Sequence, residues 1–291
     1  MSWIVLSLVC AFSLASADAA TKAWLRDLSA TELLVARFCI PGLLMTPLLA
    51  GLPPLGEIPL AFWGWIAVLV PLELAAMWLY MAAIRDHPLS LTLPYLAFTP
   101  VFVIAVAWIV LGEQVSARGA LGILLVVAGA WLLNSTHTHA RDWRGWVAPF
   151  AAIVHEPGSR MMLGVAAIYA VTATLGKGAM RYLPPETFGA FYFALLGLTV
   201  LVLIVLPRPR MLIKLARRPW AVLTVGGLLG LMVFTHFLAI QAVEVAYMIA
   251  VKRVSLLFGI LYGALLFRER DMAARLPAGV IMVSGVVVLL T

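Results

Sequence analysis

Apolar residues in this chain come in runs of about 20, separated by short polar stretches. The pattern recurs over 3–24, 31–50, 60–84, 89–111, 116–134, 160–181, 186–206, 220–242, 244–267 and 272–290. A helix of that length crosses the ~30 Å hydrocarbon core of a bilayer. The pattern therefore predicts an all-α polytopic membrane protein with ten transmembrane helices. The longest connection, 135–159, carries Asp142, His155, Glu156 and Pro157 and reads as a linker. The other connections are too short for an extramembrane domain. The run 3–24 contains Ala-Ser-Ala-Asp-Ala-Ala near its end but lacks a basic leading region, so it reads as a retained span.

The runs are duplicated. At an offset of 156, the stretch from Leu79 aligns without gaps to the stretch from Thr235, pairing Ala83 with Ala239, Phe102 with Phe258 and Glu113 with Glu269. The polar matches weigh most, because apolar pairs arise easily in such a composition. Lys22, Arg26 and Leu28 recur as Lys177, Arg181 and Leu183, and an acid follows each set, Glu32 and Glu186. The expected organisation is a first five-helix repeat over 1–134, a linker over 135–159 and a second repeat over 160–291. Five spans per repeat is odd, so the two repeats would lie inverted in the membrane. Inverted repeats are the hallmark of secondary transporters, with the substrate near the midplane where the halves meet.

Composition agrees with a membrane protein: 64% of residues are hydrophobic and 11% charged. A net charge of +7 would suggest nucleic acid in a soluble chain, but in a membrane chain it is read by location. Fourteen of the twenty cations fall in, or at the span ends beside, the connections after the odd-numbered spans, among them Arg208, Arg210, Lys214, Arg217 and Arg218. Only Arg118, Lys177 and Arg181 fall on the other side. The positive-inside bias therefore puts both termini outside the cytoplasm. Cys10 and Cys39 read as small apolar core residues within spans.

Three cations lie well inside spans, away from their ends: Arg37, Lys252 and Arg253. Each of the adjacent pair costs about 2.5–3.5 kcal/mol at a helix centre on insertion scales, so the pair is expected at a cavity or a partner. Arg forks onto a carboxylate or phosphate and Lys supplies a point charge, a combination suited to a substrate's acidic group. The alternatives are an ion pair with Glu73 or carbonyl capping at a helix break. Glu73, just after Pro71, is the one acid near a span centre. It suits either a proton carrier or a counter-ion to the pair. Arg37 reads as structural. Asp18 can pair with Lys22 four residues on, or stand at a cavity mouth as a second proton-coupling candidate. Lys177 is expected to snorkel.

His236, Gln241 and Tyr95 are candidates for hydrogen bonds to substrate. Trp78 and Tyr80 are candidates for an aromatic cage around a cation. His137 and His139 form no metal pattern, and neither a phosphate loop nor a hydrolase motif occurs. No cofactor, metal or nucleic acid is expected, and the chain reads as a non-enzyme.

Thr99 to Glu113 (TPVFVIAVAWIVLGE), the Gly-rich run that follows, and Ser255 to Glu269 (SLLFGILYGALLFRE) resemble the EamA branch of the drug/metabolite transporter superfamily. Arg37 matches a further recurrent feature there. The resemblance implies ten helices in two repeats around a cavity lined by helices 3, 4, 8 and 9, with 1 and 6 contributing. It implies that helices 5 and 10 join the repeats or support a homodimer. Lys252 and Arg253 also resemble the adjacent cations of the plastid phosphate translocators, although the positions paired with them are Leu96 and Ala97.

The expectation is an inner-membrane secondary transporter of a small organic anion or zwitterion, working by alternating access as a monomer or homodimer. An exporter of hydrophobic or cationic compounds and a lipid-handling protein are the alternatives. Cysteines placed singly in 207–219 will label with a membrane-impermeant thiol reagent only from the cytoplasmic face; labelling of intact cells would reverse the assigned orientation.

Overall fold

The computed structural model describes residues 2–87, 95–135, 156–267 and 272–290, and the described residues form helices without a strand. The linker histidines and most of the 135–159 connection lie outside the described residues. In chain order the helices are α1 (Trp3–Trp24), an interrupted α2, α3 (Leu60–Asp86), α4 (Thr99–Leu111) and α5 (Ala117–Ser135). The second half holds α6 (Pro157–Ala179), α7 (Pro185–Val200) and α8 (Pro219–Gln241). It ends with α9 (Val245–Lys252), α10 (Ser255–Phe267) and α11 (Met272–Leu290).

Six stretches among the described residues are long and apolar enough to cross a membrane: Trp3–Trp24, Leu60–Ala83, Pro157–Ala179, Pro185–Val205, Pro219–Gln241 and Val245–Gly263. Thr99–Leu111, Ala117–Leu132 and Leu276–Leu290 are apolar but shorter. The outward faces are apolar too, with Leu60, Trp220 and Ile109 largely exposed. That pattern belongs to a bundle whose solvent is lipid.

Four expected spans depart from a single regular α-helix, the seventh by a π-turn over Leu201–Val205 at its end. The second, α2, starts as Ala30–Leu34, widens into a π-turn over Val35–Cys39 that carries Arg37, and resumes as Ile40–Leu44. Its first turn is closed by a capping box in which Ser29 Oγ accepts from Glu32 N–H and Glu32 accepts from Ser29 N–H. Among the described residues, the fourth and ninth expected spans each break once. The chain turns at Ala97–Phe98 before α4 and at Arg253–Val254 between α9 and α10. These turns lie at the same offset of 156 as the sequence duplication. Pro100 in the first turn of α4 accounts for the first break, since proline fits a helix start and not its interior. Leu256 stands in the corresponding place of α10 and breaks nothing. There Arg253 N–H and Val254 N–H close onto the carbonyls of Ala250 and Val251, both at 3.0 Å.

Contacts between the halves come in matched pairs. The first helix packs on α8 and α9, and α6 packs correspondingly on α3 and α4. Helix α2 packs on α7, and α4 on α9. The most extensive pairing is α5 against α11, where glycines let the backbones approach closely. A Cβ built on Gly129 would lie 2.7 Å from the Ala278 carbonyl oxygen and the Met282 nitrogen, and one on Gly285 would lie 2.7 Å from the Gly122 carbonyl oxygen.

One polar junction ties the two halves near the end of α4. Gly112 takes a left-handed conformation (φ 73°) and stops the helix, so that Glu113 points across to the second half. Glu113 accepts from Val245 N–H at the start of α9 (2.8 Å) and pairs with Lys177 at the end of α6 (2.5 Å). Lys177 also donates to the Val243 carbonyl at 2.6 Å. The expected snorkelling of Lys177 is thus replaced by an ion pair, because Glu113 brings an acceptor within its reach. Beside it, Ser116 N–H donates to Tyr247 Oη at 3.1 Å.

Gly129→Leu will lower the thermal midpoint of the detergent-purified protein by an amount equivalent to about 1–3 kcal/mol, the usual cost of overpacking; an unchanged midpoint would show that α5 and α11 are not closely packed. Glu113→Gln keeps an acceptor for Val245 but loses the charge pair with Lys177. It is expected to cost about 2 kcal/mol in the same assay, as for a hydrogen bond to a charged group, and Glu113→Ala more.

Candidate functional site

The breaks before α4 and α10 border a partly open cavity of about 130 Å³. Its polar wall is built from many elements: Arg37 from α2, Glu73 and Tyr80 from α3, and Thr99 from the start of α4. Tyr169 and Thr172 come from α6, Tyr192 from α7, His236 from α8, and Lys252 and Arg253 from the break after α9. A helix interrupted in lipid must direct its freed backbone groups and side chains toward protein or a cavity. Paired interruptions in two halves are where substrate sites are looked for in transporters.

Lys252 is the last residue of α9 and Arg253 its C-cap. Both cations therefore sit at the partly negative carboxyl end of a helix, which favours positive charge. Arg253 is 5% exposed, and its Nε is buried without a hydrogen-bond partner. Among the described residues it has no carboxylate within ion-pair distance. Lys252 Nζ lies 3.5 Å from His236 Nδ1.

Glu73 stands beside Thr172 and Tyr192, and Lys252 is the charged group acting on it. The expected ion pair between Glu73 and Lys252 or Arg253 is not formed, because Glu73 turns toward hydroxyls on α6 and α7. Tyr192 Oη also donates to the Leu69 carbonyl (3.3 Å), in the turn of α3 that Pro71 loosens.

The third intramembrane cation departs from expectation. Arg37 lies in the cavity wall and is ion-paired with Asp18 of α1. The Asp18–Lys22 pair anticipated from spacing gives way to this one, since the π-turn swings Arg37 toward α1. Such turns are frequent at functional sites.

Five of the sequence candidates come together here: Lys252, Arg253, Glu73, His236 and Tyr80. Three do not. Trp78 is 51% exposed, on the outward face of α3, so it cannot cage a ligand in the cavity. Gln241 ends α8 and is exposed, beyond the reach of the cavity. Tyr95 is buried and packs edge-on against Trp131 at 5.6 Å, which turns it toward α5. Asp18 is absent from the wall and touches it through Arg37. Tyr169 and Thr172, three apart on one face of α6, were missed. Their spacing in an apolar span was the signal available. Tyr192 carried no such signal, because an aromatic residue in an apolar run reads as packing.

Comparison with known proteins agrees with this architecture. The model of the EamA-like transporter family matches residues 1–135 and 157–291. Over 72 residues, which are 25% of this chain and 67% of the relative, the sequence is 31% identical to the probable 4-amino-4-deoxy-L-arabinose-phosphoundecaprenol flippase subunit ArnE of Enterobacter sp. (strain 638). A solved structure described only as "Crystal structure of protein" shares the fold, with a TM-score of 0.69 at 16% identity over 98% of this chain and 94% of that one. The family match takes in both halves and stops only at the connection between them, so the chain is a multi-pass membrane protein belonging to the EamA-like transporter family.

Proposed function

We propose that the protein is an inner-membrane secondary transporter of a small organic anion or zwitterion. Its ten spans form two inverted five-helix repeats that expose the cavity to alternate sides, with both termini outside the cytoplasm. The matched contacts between the halves and the helix breaks at one offset support the inverted repeat. The observation that carries the substrate class is Arg253: a buried guanidinium in a cavity wall, without a carboxylate in range among the described residues. An uncompensated charge in a medium of low dielectric is costly, and a substrate's acidic group supplies the missing partner.

In this reading Arg253 forks onto the acidic group and Lys252 adds a second charge. The start of α4 adds the positive end of a helix dipole, with Thr99 in the wall. Glu73 and the tyrosine hydroxyls contact the rest of the substrate, and an ammonium on a zwitterion would face Glu73. A second substrate class, a lipid-linked sugar phosphate, is favoured by the match to the ArnE flippase subunit. It would present the same cations with a phosphate, and its tail would have to pass between helices into lipid.

Proteoliposomes holding the purified protein will take up at least one of alanine, taurine, lactate, succinate and glycerol 3-phosphate. Lys252→Ala will reduce that uptake at least tenfold, and Arg253→Lys will reduce it less than Arg253→Ala. Full uptake by Lys252→Ala would refute the anion site. Movement of a lipid phosphate without any soluble anion would favour the flippase reading, and uptake of organic cations alone would favour an exporter with Glu73 as its anchor.

A further inference from the structure

We propose that His236 is the proton-binding group of this cavity, coupled to the anion site so that proton and anion bind together. The proposal rests on the anion-site reading above and adds the ion that would drive it.

The geometry starts from the contact between Lys252 Nζ and His236 Nδ1 at 3.5 Å. An ammonium offers only donors, so Nδ1 must present its lone pair, which assigns His236 the neutral tautomer with its proton on Nε2. Arg253, the next residue after Lys252, lines the same wall. In the empty site an imidazolium would be a third positive charge beside the partly buried Lys252 and the buried Arg253.

The remaining ionisable neighbours do not remove that repulsion. Arg37, from α2, is another cation and already has Asp18 as its partner. The third helix supplies Tyr80 and Glu73, and Glu73 is turned to Thr172 and Tyr192. Tyr169 of α6 brings a hydroxyl to the wall, and Cys10 of α1 is a buried thiol.

An anion docked on Lys252 and Arg253 reverses the balance. It draws the Lys252 ammonium toward itself, which frees Nδ1 of His236, and it places a negative charge where an imidazolium can be its partner. Nδ1 then accepts a proton from water and both ring nitrogens become donors. Anion and proton therefore raise each other's affinity, by an equal factor in both directions. A carrier whose anion and proton bind only together moves them in one direction, as a symporter. The anion is therefore held more tightly as pH falls.

The test uses methanesulfonate, which carries one negative charge at every pH used. Its binding to the full-length protein in detergent is followed by calorimetry from pH 8 to pH 5.5, in buffers of different ionisation enthalpy that count protons taken up. The wild type will bind more tightly at low pH, by at most about tenfold per pH unit for one coupled proton, and will take up protons with the anion. His236→Gln, and independently His236→Asn, will keep binding but lose both the pH slope and the proton uptake. Glu73→Gln, whatever its effect on affinity, will retain the pH slope and the proton uptake.

A pH slope that survives in either histidine variant, or that vanishes in Glu73→Gln, overturns the proposal in favour of the carboxylate. Binding in the wild type without pH dependence overturns it as well, while leaving the anion site standing. Absence of binding, or binding unaffected by Lys252→Ala, overturns the anion site and this coupling together.

Discussion

An unanswered positive charge in a low-dielectric interior is the constraint on which the rest of this molecule depends. Moving a cation out of water costs several kcal/mol even after relaxation, and only a partner or a well-placed dipole recovers it. Arg253 is buried in a lipid-bound bundle, and it sits at the partly negative carboxyl end of α9. That arrangement explains why α9 ends where it does. A continuous helix through 252–254 would hold both side chains along one rod, whereas the turn directs them into a shared cavity. Arg37 shows the contrasting solution: equally buried, it takes Asp18 as a fixed partner.

The two breaks divide labour between the halves. The turn at Ala97–Phe98 brings a helix start and Thr99 to the cavity, and the turn at Arg253–Val254 brings a helix end and two cations. The two halves thus turn at corresponding positions, while only the second carries charge there. Around the cavity the halves hold each other by different means. Close apolar contact of α5 with α11 needs glycine and tolerates no side chain. The Glu113–Lys177 junction is polar and mostly buried.

Much of this was legible along the chain. Ten apolar runs, a duplication at one offset and cations inside spans point to a membrane transporter because each is a one-dimensional consequence of lipid chemistry. The cost of Lys252 and Arg253 can be read without knowing any neighbour, and His236, Glu73 and Tyr80 stood out as polar groups in apolar helices. Trp78, Gln241 and Tyr95 were misplaced for a single reason: period and composition do not say which face of a helix that is apolar all round meets the cavity. The partner of Asp18 was misjudged because a π-turn shifts the register beyond Arg37, and no residue in Val35–Cys39 announces it.

The sequence by itself determined the solvent of this protein, its helical class, its family and the presence of a costly pair of charges, since hydropathy and duplication are sums over local residues. Only the tertiary structure decided that helix nine breaks without a proline, that Arg37 and Asp18 pair, that Glu113 reaches Lys177, and that Lys252 touches His236. Those are distances between helices, and they depend on how the two halves close around a cavity. A cation inside lipid announces that a partner is needed, but which group stands opposite is settled by packing.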